Sequence, residues 1–174
     1  MSHPRRRVRD ESGWSRNLWS GDPGTPLNTL PSIGIQKEPM VTLRITNPTR
    51  NSVLATYANI ANTPNLRRMG LIGAPPPQPG EGLFFPECNA IHTVEMSFPI
   101  DVVFVDMLTK RVKKTVQQAQ PGCHFNALIP KELCAVIELP SGTVQKTGTQ
   151  PGDVVMILSS GHASQSDLNY VAGL

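Results

Sequence analysis

Residues 88–106 constrain this chain most: Cys-Asn-Ala-Ile-His-Thr-Val-Glu-Met-Ser-Phe-Pro-Ile-Asp-Val-Val-Phe-Val-Asp. The run reads as two buried strands broken at one proline. Over residues 91–98, His92, Val94, Met96 and Phe98 fall on one face and Ile91, Thr93 and Glu95 on the other, the period of two of an extended strand. The first face is mostly apolar, so His92 is expected inside with it. Pro99 cannot donate to a ladder, so the chain must bend, bulge or change partners there. Residues 100–105 are nearly all apolar, as in a strand covered on both faces.

Similar patterns flank this run. Val41, Leu43 and Ile45 alternate with Thr42, Arg44 and Thr46, and residues 53–60 follow a turn at Asn47-Pro-Thr-Arg-Asn51, which predicts a hairpin. Thr63-Pro64 is an N-cap followed by proline at the first helical position, predicting one short helix over about 64–72 that ends at Gly73. Residues 82–85, a basic strand through Val112 and Val116, residues 133–139 and residues 154–158 complete the strand list. A turn and a short helical segment are expected within 141–148. Seventeen prolines and fourteen glycines suit short strands joined by turns. The expected fold is mainly β: a compact β-sandwich or jelly-roll-like barrel with one short helix.

Three regions emerge. Residues 1–39 are aperiodic and rich in proline and glycine, the composition of a disordered or loosely docked arm. Trp14, Leu18 and Trp19 interrupt it, either as chance content or as an anchor for the body or a partner. Residues 40–159 form a single β domain, and 160–174 read as a flexible tail. The net charge of +3 sits in the arm, where Arg5, Arg6, Arg7, Arg9 and Arg16 face Asp10 and Glu11; the rest of the chain is balanced. Any affinity for nucleic acid or acidic membranes therefore belongs to the Arg5–Arg16 arm. No apolar run approaches the roughly 18 residues of a membrane span, and no apolar stretch follows the arginines as in a signal peptide. Three cysteines, an odd count, argue against a disulfide framework and for a reducing compartment, so the expected location is cytoplasmic.

The residues that could carry chemistry are few. Cys88, His92, Cys123 and His124 are the metal-ligand types. Strand residues four apart share a face but lie about 13 Å apart, and adjacent ones point oppositely, so no metal is expected. Asp101 and Glu138 sit inside apolar strands, where a bare carboxylate is too costly, so each needs hydrogen bonds or a charge partner. If they met in a cavity their pKa values could be perturbed and serve acid–base work. Asp106 suits a turn cap. No nucleophile elbow, phosphate loop, dinucleotide fingerprint or HExxH motif occurs.

Taken together, the motifs resemble the prokaryotic family known as domain of unknown function 192, over about residues 40–158. The carriers are Arg67/Arg68-Met-Gly70-Leu71-Ile72, residues 91–96 ending in Met96, Pro99-Ile100-Asp101 running to Asp106, Ala135-Val-Ile-Glu138-Leu-Pro140-Ser-Gly142, and Pro151-Gly152-Asp153. The chain departs from the family pattern at Ala74, where members often carry arginine. It departs again at Val94 and Glu95, in place of two aromatics, and at Gln120-Pro121-Gly122, in place of Pro-Trp-Arg. The resemblance implies a mostly β, jelly-roll-like sandwich with a short helix, and no established reaction or cofactor.

The functional expectation is a non-catalytic module that holds a small ligand or a protein partner near His92, Met96, Asp101 and Glu138, with no cofactor. One alternative is an assembly protein that contacts a partner through the Arg/Trp arm. A second is an acid–base enzyme using His92, Asp101 and Glu138.

Overall fold

The computed structural model describes residues 42–160; the expected arm and all but the first residue of the expected tail lie outside it. Alternation builds the first hairpin. β1 (Thr42–Asn47) buries Leu43, Ile45 and Asn47. A 3-10 turn over Pro48–Arg50 follows, held by the Arg50 amide donating to Asn47 Oδ1 at 3.1 Å. β2 (Ser52–Ile60) returns antiparallel. Thr63 then caps α1 (Pro64–Met69) by accepting from the Leu66 amide at 3.2 Å, and Pro64 fills a position whose amide needs no partner. α1 stops at Gly70, earlier than the Gly73 predicted.

The remaining strands are β3 (Glu81–Phe85), β4 (Ala90–His92), β5 (Ile100–Asp106), β6 (Arg111–Ala119), β7 (His124–Asn126), β8 (Cys134–Pro140) and β9 (Met156–Ser160), with a second helix, α2 (Thr143–Thr147), between the last two. Seven strands make one sheet in the order β6-β5-β8-β3-β2-β1-β9, and β4 pairs with β7 in a small second sheet. All pairings are antiparallel except β2 with β3, whose connection carries α1. Ser160, expected to open the tail, ends β9.

The large sheet curls on itself. β9 pairs with β1, while the residues just before β9 bond the start of β6 at the opposite edge. There the Val112 amide donates to the Asp153 carbonyl at 2.9 Å, and the Gly152 amide to the Val112 carbonyl at 2.8 Å. The mainly β class is as expected, with the sheet closed into a half-barrel by one segment that touches both of its edges.

Curling gives the sheet two buried faces. Leu43, Ala55, Phe84, Val103, Ile137 and Val112 come from strands spread across the sheet yet share one apolar cluster, so that cluster fills the inside of the curl. Leu83, Phe85, Val102, Phe104, Cys134 and Val136 form the second cluster on the outer face, where Met96, Phe98 and Ala127 pack against them. Phe84 and Phe104 are 1% and 0% exposed. Truncating a fully buried phenylalanine to alanine costs about 3–5 kcal/mol.

One predicted strand fails. Residues 91–98 do not run straight: β4 ends at His92, the Met96 amide donates back to the Thr93 carbonyl at 3.2 Å, and Glu95 sits at φ 66°. The face assignment changes with it. Thr93 is buried, donating to the Gln120 carbonyl at 2.6 Å and accepting from the Cys123 amide at 3.0 Å, whereas His92 is exposed. Met96 and Phe98 are buried without lying on a common strand face with His92.

Candidate functional site

Register decides which of the acids can meet. Along β8, Glu138 stands opposite Val102 of β5 and Leu83 of β3, both in the outer-face cluster. Asp101 stands opposite Leu139, which belongs to the inside cluster. Asp101 and Glu138 thus point to opposite faces of the sheet, and the acid–base pair considered from sequence does not form.

Asp101 has a structural explanation. It is fully buried, with Oδ1 accepting from the Gln118 amide at 2.8 Å and Oδ2 from the Val144 amide at 2.7 Å. The first bond satisfies an amide where β6 bulges, at a residue with φ 50°. The second reaches the first turn of α2, whose own cap residue, Gly142, has no side chain to offer. One carboxylate fastens a bulge and a helix start to β5.

Glu138 has no such partners. It is 3% exposed, and its Oε2 lacks a hydrogen-bond partner among the described residues. Burial pushes its carboxyl from an ordinary 4.5 up to about 8, so the neutral acid prevails at neutral pH. It borders a cavity of about 100 Å³ between the end of α1, β3, β4 and β8. One water needs roughly 10–15 Å³ on the same measure. Phe85, Leu71, Ile72, Ile91 and Met96 supply apolar walls; Arg67, Arg68, Cys88 and His92 supply the other polar groups.

α1 positions the roof of this space. Arg67 folds back over the chain after β3, donating through Nη1 to the Pro86 carbonyl at 2.7 Å and through Nη2 to the Glu87 carbonyl at 3.1 Å. Among the described residues Arg68 reaches only Asn65 Oδ1, at 3.5 Å, the outer limit of a hydrogen bond. Gly70, at φ 51°, lies against the acid: a methyl group there would sit 3.5 Å from Phe85 Cζ and 3.8 Å from Glu138 Oε2. Cys88 donates from Sγ to the Ala90 carbonyl at 3.1 Å, and burial raises its thiol pKa above the ordinary value, so it is a poor nucleophile.

His92 stands at the rim across from His124 of β7, its register partner; their rings are 5.8 Å apart and tilted by 49°. No group of three or more His, Cys, Asp or Glu side chains among the described residues could hold a metal. Two wider depressions, beside Leu128 and beside Pro75 and Pro77, contain no unpaired buried side-chain atom among the described residues.

Three of the four residues named from sequence, His92, Met96 and Glu138, therefore line one cavity, and Asp101 lies on the far face. Sequence reasoning did not single out Arg67, Arg68, Gly70 and Cys88 as wall residues. The Arg-Arg-Met-Gly-Leu motif was the available signal.

Residues 45–157 match the sequence profile of domain of unknown function 192 (DUF192), an uncharacterised family. The chain belongs to the DUF192 family. Two crystal structures share its architecture. One is a Novosphingobium aromaticivorans protein of unknown function, 24% identical, with a TM-score of 0.56 over 67% of this chain and 84% of that one. The other is a proposed transcription regulator from Sinorhizobium meliloti, 20% identical, with a TM-score of 0.57 over 67% of this chain and 92% of that one. At such identities the likeness speaks for the DUF192 fold alone. A search of curated proteins found no match. No helix among the described residues is long and apolar enough to cross a membrane.

Proposed function

We propose that this DUF192 domain is a non-catalytic module that binds a small ligand in the cavity beneath α1. The supporting observation is Glu138 Oε2, a buried carboxyl oxygen with no partner among the described residues, at the edge of an open space. Buried polar atoms are nearly always paired, so this one calls for a partner beyond the described residues, and a ligand supplies it in this reading. Apolar walls with a few convergent polar groups are the usual make-up of a ligand site.

The arrangement favours binding over acid–base catalysis. The three-residue set considered from sequence is divided: both oxygens of Asp101 are committed to backbone amides on the other face. Three free cysteines support a reducing, cytoplasmic location.

Ligand-observed NMR with a library of small fragments tests the reading. The expected result is a set of fragments that compete for one site and are lost in folded Glu138→Met protein. A library without any Glu138-dependent binder would overturn it.

A further inference from the structure

We infer that the cavity under α1 takes a small monocarboxylate, its carboxylate set between Glu138 and Arg68 and its short alkyl part against Phe85, Ile72 and Met96. This inference rests on the binding reading above and names the class of ligand for the same site.

Charge is the first reason. The walls hold two guanidinium groups, Arg67 and Arg68, and one carboxyl, Glu138. A cationic ligand would have to approach two like charges in a confined space, whereas an anion is drawn in. Arg67 is already occupied by backbone carbonyls, while among the described residues Arg68 makes only its 3.5 Å contact with Asn65 and has donors to spare. A guanidinium fork suits a carboxylate bidentately.

The second reason is the state of Glu138. Held neutral by burial, it offers an O–H to a bound anion. A carboxylic acid donating to a carboxylate is a short, charge-assisted bond. Ionised Glu138 would instead repel the same ligand, so occupancy must fall as that proton is lost.

Size is the third. A cavity of about 100 Å³ admits a carboxylate with a few carbons and little more. The apolar floor gives the alkyl part a place that inorganic phosphate, polar on every side, cannot use.

The test uses the full chain with ¹³C-methyl-labelled methionine and follows the Met96 methyl while propionate, propionamide, n-propylammonium and inorganic phosphate are added separately. Propionate is expected to shift the signal at the lowest concentration. Its affinity should fall about tenfold between pH 7 and pH 9, the loss expected when a proton with pKa about 8 must be present for binding. Arg67, Arg68, Cys88 and His92 are the other charged or titratable groups facing this space. Glu138→Gln, which keeps an N–H donor and cannot ionise, separates their titration from that of Glu138. It should retain propionate binding and lose most of the pH dependence, and Arg68→Gln should weaken binding at both pH values.

Tighter binding of propionamide, propylammonium or phosphate would overturn the carboxylate assignment and leave the binding reading intact. An unmoved Met96 signal with all four probes would overturn it too, and the Glu138-dependent fragments sought above then report whether the binding reading survives. A pH dependence unchanged in Glu138→Gln would show that Glu138 does not face the ligand.

Discussion

Glu138 should make this domain lose stability as pH rises through a range where most proteins are indifferent. Its carboxyl moves from 4.5 to about 8 on folding, because burial disfavours the charge and nothing among the described residues offsets the loss of water. The sign follows from proton counting. Between those values the folded state keeps a proton that the unfolded state has released, so alkali favours unfolding. The contribution is fully present below pH 4.5, declines by about 1.4 kcal/mol per pH unit, and is gone above about pH 8. The total is roughly 5 kcal/mol, comparable to the lower end of a domain's whole stability of about 5–15 kcal/mol. Glu138→Gln keeps the volume and removes the ionisation. Its amide brings its own demand for partners, about 1–3 kcal/mol if unmet, but that cost is the same at every pH. The diagnostic is therefore the difference in slope. Urea unfolding of both proteins at pH 5, 6.5, 8 and 9 should give a stability difference that shifts steadily in the variant's favour up to about pH 8 and stays constant beyond it. Parallel curves throughout would mean that Glu138 ionises at an ordinary pH, and the physical account of this site would be wrong.

Asp101→Ala should cost about 1–3 kcal/mol for the buried Val144 amide left unpaired, plus a smaller amount for the part-buried Gln118 amide, and Asp101→Asn about half as much; denaturant midpoints decide, and an unchanged Ala midpoint would refute the role given to its two bonds. Thr93→Val should cost roughly 1–3 kcal/mol because its hydroxyl both donates to Gln120 and accepts from the Cys123 amide; melting curves read this directly. Burial raises the Asp153 carboxyl pKa, but hydrogen bonds from Arg50, Asn47 and the Gln150 amide outweigh that and hold it below its ordinary value. Its contribution to stability is therefore present above pH 3.8 and lost as pH falls through the lower folded value. Asp153→Asn should flatten the acid limb of the unfolding profile, which acid titration followed by circular dichroism measures.

Strands with strong patterns were legible in the sequence. The alternation of Leu43 and Ile45 announced β1, the nearly all-apolar run announced β5, and Thr63-Pro64 announced the start of α1 to the residue. The failure at 91–98 has a local cause. A tight turn at Thr93–Met96, with Glu95 at φ 66°, happens to alternate apolar and polar residues as a strand would. β7, three residues long, is too short for any period to show. The site was half legible. The apolar neighbours of Asp101 and Glu138 already demanded burial of both carboxyls. Whether they met depended on parity: Asp101 stands opposite Leu139, not Glu138, and a register set by two strands cannot be read from either alone.

The segment from Gly152 to Ser160 touches both margins of the large sheet, and this has a temporal consequence. During synthesis β1 emerges first and β6 later, and each exposes an unpaired row of amides and carbonyls until this last segment arrives. The pairing of Thr42 with Ser160 joins the first and last of the described residues, the greatest sequence separation among them. Such contacts make folding slow, because the loop must close before the pairing rewards it. A nascent chain stalled before Gly152 would hold every residue lining the α1 cavity and still present two sticky edges to its neighbours. Its hazard on the ribosome is therefore aggregation through those exposed edges, the kind of species that chaperones restrain.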